Sequence, residues 1–135
     1  MLIGVGIDIV EIERVDEQVR KHGERFVNRV FAPEEVAYCE QRPFRGQHYA
    51  VRFAAKEAAF KALGTGWQHG LSWQEVVVTN DREGQPQLTL RGRAKELAAQ
   101  RGAVRAHVSV SHCRQWAAAV VVLEGGQTKG CEQEP

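Results

Sequence analysis

The segment HYAVRFAAKEAAFKALG, residues 48–64, decides the fold. Six alanines fall between His48 and Leu63, no glycine or proline interrupts them, and Gly64 stands where a helix end favours a left-handed residue. The spacing predicts a helix over His48–Leu63. So many small side chains allow close approach, which predicts packing against a sheet. Phe53 and Phe60, at i and i+7, are expected in the core, as are Trp67, Trp73 and Trp116.

Working outward from that helix, LIGVGIDIV (2–10) alternates as a strand, with Ile3, Val5, Ile7 and Ile9 on one side and Gly4, Gly6 and Asp8 on the other. Asp8 therefore sits on a face cleared of side chains. Ile12, Val15 and Val19 then form a helical stripe that ends near Gly23, with Arg14 off the stripe, and Pro33-Glu34-Glu35 reads as the first turn of a short helix. On the C-terminal side, EVVVT (75–79) and PQLTL (86–90) flank the turn-rich NDREGQ as a hairpin, and Gly92–Gln100 reads as a helix. HVSVSH (107–112) alternates cleanly, while WAAAVVVL (116–123) is a continuous apolar run suited to a buried strand. The expected fold is a single α+β domain over residues 1–123, an antiparallel sheet packed on the alanine-rich helix. Residues 124–135 carry too little apolar content to repay ordering and are expected to form a disordered tail.

Composition narrows the function classes. The chain has 135 residues, 43% hydrophobic and 26% charged, with a formal net charge of +1, which lacks the basic footprint of a nucleic-acid binder. No apolar run approaches the ~20 residues a bilayer requires, so no membrane association is expected and the cytoplasm is the expected location. Cys39, Cys113 and Cys131 are widely spaced and form no CxxC pair, which argues against both a disulfide framework and a zinc site. Between Arg14 and Arg29 the bases outnumber the acids, so a helix there can present a basic face to an acidic protein partner.

Several residues carry candidate chemistry. Asp8, on its bare strand face, and Glu57, on the helix that packs near it, can meet as a carboxylate pair for a hard cation such as magnesium, which needs few protein acids when the substrate brings phosphate. The same residues also read as a helix cap at Asp8 and an i,i+4 pair between Glu57 and Lys61. Lys61, Lys56 and Arg52 either meet phosphate or form a solvated charged strip. Gly64-Thr65-Gly66 is either a close-approach loop or a plain helix end. Ser111 and His112 point to opposite faces of their strand, which sets a serine hydrolase aside.

Three segments, GVGIDIVEIERV (4–15), RFAAKEAAFKALGTG (52–66) and HVSVSHCRQWAAAVVV (107–122), in this order and spacing, resemble the holo-acyl-carrier-protein synthases, the short single-domain branch of the phosphopantetheinyl transferases. The resemblance implies transfer of the 4′-phosphopantetheine group from coenzyme A to a serine of apo acyl carrier protein. It implies that Asp8 and Glu57 hold Mg²⁺ at the coenzyme A pyrophosphate and that Lys61 stands beside that pyrophosphate. By the same resemblance Arg52 and His112 match positions near the ribose phosphate, while Gly64, Thr65, Gly66, Gly84 and Pro86 match nucleotide-contacting segments. It further implies a homotrimer with sites at subunit boundaries, where Pro86 and Ser109 to Ser111 serve a neighbour. Arg14, Arg25 and Arg29 match the basic helix that receives the acidic carrier. Glu57 and a metal-bound water are both compatible with taking the serine proton. Two rivals remain: a non-catalytic module docking an acidic protein, which leaves Asp8, Glu57 and Lys61 unexplained, and a magnesium-dependent nucleotide pyrophosphate hydrolase.

Overall fold

Close approach between one strand and one helix organises the chain. In the computed structural model, which describes residues 1–64 and 70–126, strand β1 (Leu2–Glu11) runs beneath helix α4 (Arg45–Leu63). A Cβ added at Gly4 or Gly6 would collide with the backbone carbonyl of Ala62 or Ala58, so only glycine allows this seating. The expected order of elements is otherwise present. α1 (Ile12–His22) buries Val15 and Val19, α2 (Glu24–Val30) follows directly, and α3 (Pro33–Glu40) starts on its proline. The hairpin β2 (Val76–Asn80) and β3 (Pro86–Leu90), helix α5 (Gly92–Gln100), and strands β4 (Ala103–His112) and β5 (Trp116–Gly125) complete it.

The sheet is antiparallel in the order β1-β5-β4, and β2–β3 forms a separate two-stranded ribbon. Ala117, Ala119, Val121 and Leu123 on alternate positions of β5 are buried in the core beneath α4. Three differences from the sequence expectations have local causes. α4 begins at Arg45 rather than His48, with Phe44 in the left-handed conformation (φ 58°) as its cap. Gly46 is tolerated in its first turn because the Asp16 carboxylate occupies the space a Cβ would take. β5 continues to Gly125, two residues beyond Leu123, because it stays paired with β1 and β4. Trp116, expected in the core, is 42% exposed because it lies at the strand's start on the face away from α4. Thr65, Gly66, Trp67 and residues 127–135 lie outside the described residues.

Lys56 is neither a phosphate ligand nor part of a solvated strip. Its ammonium lies 2.7 Å from Glu35, and both side chains are fully buried. Lys56 also donates to the carbonyls of Trp73 and Val76, while Glu35 accepts from the N–H groups of Ala32 (2.9 Å) and Val78 (2.8 Å). The pair thus ties α3, α4 and β2 together. Burial pulls the Lys56 pKa below the usual lysine value, against the opposing attraction of Glu35. Removing one partner strands the other charge in the core, so Lys56→Met should cost about 3–5 kcal/mol in urea unfolding, with part restored in a Lys56→Met/Glu35→Gln double variant. A loss below about 1 kcal/mol would contradict this role.

Candidate active site

Two clusters of polar side chains flank α4 on opposite sides. At about 100° per residue, Glu57 and Lys61 lie within roughly 40° of each other around the helix, whereas Arg52 lies about 140° from Glu57 and about 180° from Lys61.

The first cluster faces β1. Asp8 projects from the face cleared by Gly4 and Gly6, and Lys61 donates to its Oδ1 at 3.0 Å and to the Ile7 carbonyl at 3.0 Å. The other carboxylate oxygen, Oδ2, is buried with no hydrogen-bond partner among the described residues. Asp8 is not a helix cap, since Glu11 stands at that position of α1 and makes no side-chain cap bond. Lys61 bonds to Asp8 rather than to Glu57. Burial first, and then the charge of Asp8, raise the Glu57 pKa above the usual carboxylate value, with Lys61 opposing. Two carboxylates against one ammonium leave a local excess of negative charge around a buried, unpartnered oxygen. That donor set fits a hard divalent cation.

The second cluster lies toward the hairpin. Arg52 is only 3% exposed, its Nη2 donating to Asn80 Oδ1 at 2.6 Å and its guanidinium lying 4.2 Å from the centre of the Tyr38 ring. Arg42 sits over the same ring at 3.9 Å, and His48 meets it edge-on at 5.9 Å. His112 lies 3.2 Å from the Gln47 side chain at the start of α4. Burial lowers the His48 pKa, and the charges acting on it, from Arg52, Arg42 and His112, are all positive. Arg42 and Arg52 make no ion pair among the described residues, so this flank offers guanidinium charge suited to phosphate.

The hairpin turn carries Gly84 with φ 85°, and Pro86 opens β3. Gly64 caps α4 in the left-handed conformation (φ 74°), against the Arg101 guanidinium. Ser109 and Ser111 point to the opposite face of the sheet from Val108 and Val110, so the chain does not bring them to its own His112 and Arg52. Arg14 lines a cavity of about 460 Å³ with Ile9, Val15, Phe26, Phe53 and Trp116. Arg20 and Lys21 are held by Glu13, Asp16 and Glu17, whereas Arg14, Arg25 and Arg29 are exposed and make no ion pair among the described residues.

Residues 4–121 match the family described as the 4′-phosphopantetheinyl transferase superfamily. The chain belongs to that superfamily. It is 47% identical over 124 residues to the holo-[acyl-carrier-protein] synthase of Geobacter sulfurreducens, spanning 92% of this chain and 98% of the relative. The corresponding protein of Koribacter versatilis is 43% identical over 124 residues, spanning 92% and 99%. The crystal structure of the Neisseria meningitidis holo-[acyl-carrier-protein] synthase matches with a TM-score of 0.82 at 34% identity, over 92% of this chain and 99% of that one. The Helicobacter pylori synthase in complex with coenzyme A gives 0.78 at 32% identity, over 89% and 99%.

Sequence reasoning missed Tyr38, Arg42, His48 and Asn80 in this transferase. Asn80 reads as an ordinary turn residue, and nothing in the spacing links it to Arg52, 28 positions away.

The raised Glu57 pKa has a sign. The folded chain holds that proton more tightly than the unfolded chain, so stability falls as pH rises through the raised pKa. In metal-free protein near neutral pH, Glu57→Gln should therefore raise Tm by ~2 °C, and the gain should shrink as pH falls and the wild-type carboxyl protonates. Calorimetry across pH checks this; a variant less stable than wild type at neutral pH would contradict it.

Proposed function

We propose that this transferase moves the 4′-phosphopantetheine arm of coenzyme A onto a serine of apo acyl carrier protein in the cytoplasm, with magnesium held by Asp8 and Glu57. The observation that carries this reading is the buried Oδ2 of Asp8, without a hydrogen-bond partner among the described residues, beside Glu57 in a site where two carboxylates meet a single ammonium. When bound there, magnesium neutralises and orients the coenzyme A pyrophosphate. Lys61, already fixed on Asp8, supports the negative charge that grows on the departing phosphate. Arg52 and His112 hold the ribose phosphate, and the turn with Gly84 and Pro86, together with Gly64, Thr65 and Gly66, borders the nucleotide. The carrier serine oxygen forms a bond to the phosphorus bearing pantetheine, the phosphoanhydride P–O bond breaks, the serine proton passes to Glu57 or to water, and adenosine 3′,5′-bisphosphate departs.

Because α4 separates the acidic pair from the cationic flank, one coenzyme A is best bound between two copies of the chain. The outer face of the sheet supports the same assembly. Val5, Ile7 and Ile9 are 56%, 67% and 61% exposed there, and Val120 and Val122 of β5 stand in the same rows. A contiguous apolar face of this kind calls for a partner, and the reading assigns it to the other subunits of a homotrimer. Ser109 and Ser111 lie in those rows, within reach of a neighbour's site.

The carrier docks beside Arg14. Phe53, Glu57 and Lys61 follow one another along a single face of α4, so the cavity that Arg14 and Phe53 line begins one helical turn from Glu57. Arg14, Arg25 and Arg29, which make no ion pair among the described residues, match an acidic carrier surface.

Mass spectrometry of apo acyl carrier protein incubated with the chain, coenzyme A and Mg²⁺ should show the gain of one phosphopantetheine, lost with EDTA or in Glu57→Gln. Unchanged carrier mass with folded protein would favour the docking module instead, and free phosphopantetheine without carrier would favour the hydrolase. Arg14→Ala should raise KM for the carrier roughly tenfold at low salt and less at high salt, leaving KM for coenzyme A within twofold. Equal losses for both substrates would remove Arg14 from the carrier surface.

A further inference from the structure

Asn80 makes two hydrogen bonds that point in different directions. Its Oδ1 accepts from Arg52 Nη2 at 2.6 Å, and its Nδ2 donates to the carbonyl of Gly84 at 2.9 Å. The first bond reaches across to α4; the second reaches to the tip of the β2–β3 hairpin. The turn does not need Asn80 to close. Asp81 Oδ1 accepts from the N–H groups of Glu83 and Gln85 at 2.9 Å each, the Asp81 N–H donates to the Gln85 carbonyl, and the Gly84 N–H donates to that of Asp81. A turn already satisfied by its own Asp81 gains nothing in closure from the Asn80 amide. What the amide adds is a fixed relation between the turn and a guanidinium.

Arg52 depends on that relation. It is almost wholly buried, its Nη1 contact with the His48 carbonyl is long at 3.4 Å, and its Nε is buried without a partner among the described residues. Tyr38 supports the guanidinium plane but does not set its rotation within that plane. Among the described residues, Asn80 supplies the one short hydrogen bond that does.

We propose that Asn80 is a positioning residue that locks the Arg52 guanidinium to the Gly84 turn, so that the phosphate-binding cation and the nucleotide-bordering turn form one rigid unit. This rests on reading the cationic flank as the nucleotide site of coenzyme A. Asn80 itself need not touch the substrate; it acts through Arg52 on one side and through the turn on the other.

The two bonds separate by substitution. Asn80→Ala loses both, and should lower kcat/KM for coenzyme A roughly tenfold more than that for 3′-dephospho-coenzyme A, so that discrimination for the phosphate collapses. Asn80→Asp keeps an acceptor for Arg52 and loses the donor to Gly84. It should raise KM for both donors while leaving the ratio between them near wild type, and it tests the proposal even if the alanine variant folds poorly. In an Arg52→Lys background, Asn80→Ala should cause no further loss of discrimination, because its effect passes through Arg52. A wild-type ratio in Asn80→Ala, or additive losses with Arg52→Lys, would overturn the proposal. Wild-type protein that uses both donors equally would instead overturn the reading of the flank as a phosphate site.

Discussion

Everything in this chain depends on how closely α4 can lie on β1. Gly4 and Gly6 leave no side chain between the strand and the carbonyls of Ala62 and Ala58, and the alanines of α4 complete a contact nearly free of side-chain bulk. That seating brings Glu57 and Lys61 to Asp8 without a loop. A site on a helix and a strand is held more rigidly than one on a flexible connection, which suits chemistry whose rate comes from positioning and charge. The buried Lys56–Glu35 pair adds a second restraint by fixing α4 to α3 and β2 through backbone partners. Two neighbouring residues of one helix, Lys56 and Glu57, thus serve opposite ends: one is neutralised in the core, the other held near a like charge.

The electrostatics follow from the same geometry. On one flank of α4, two carboxylates meet one ammonium, and burial makes the ionisation of Glu57 costly. On the other, Arg42 and Arg52 gather with His48 and His112, and the charges acting on His48 among the described residues are positive. Each flank is unbalanced alone. A phosphate-rich substrate with a divalent cation balances both, the cation on one side and the phosphates on the other, which is why the proposed site lies between subunits.

The framework was legible in the sequence because periodicity and small residues report burial directly. The alternation around Gly4, Gly6 and Asp8 located the bare strand face, and the uninterrupted alanines located α4. The family resemblance supplied the roles of Asp8, Glu57 and Lys61, which spacing alone left open between a metal site and ordinary pairing. Other features were not legible because they depend on contacts distant along the chain. Lys56 read as a surface charge because its partner Glu35 lies on another helix. α2 was missed because it is a short helix set off by Gly23. Trp116 and the apolar run of β5 read as doubly buried, although a single chain covers only one face of that strand; the other face stays apolar where the assembly would cover it.

The central claim is that one catalytic site draws its acidic pair from one chain and its cationic flank from another. Subunit complementation tests it directly: Glu57→Gln and Arg52→Ala chains, each inactive alone, are co-refolded and assayed for carrier modification. The account predicts that random mixing restores roughly a quarter of wild-type activity, since some boundaries pair an intact acidic pair with an intact cationic flank. Mixed assemblies as inactive as either parent would contradict it and place the whole site within one chain.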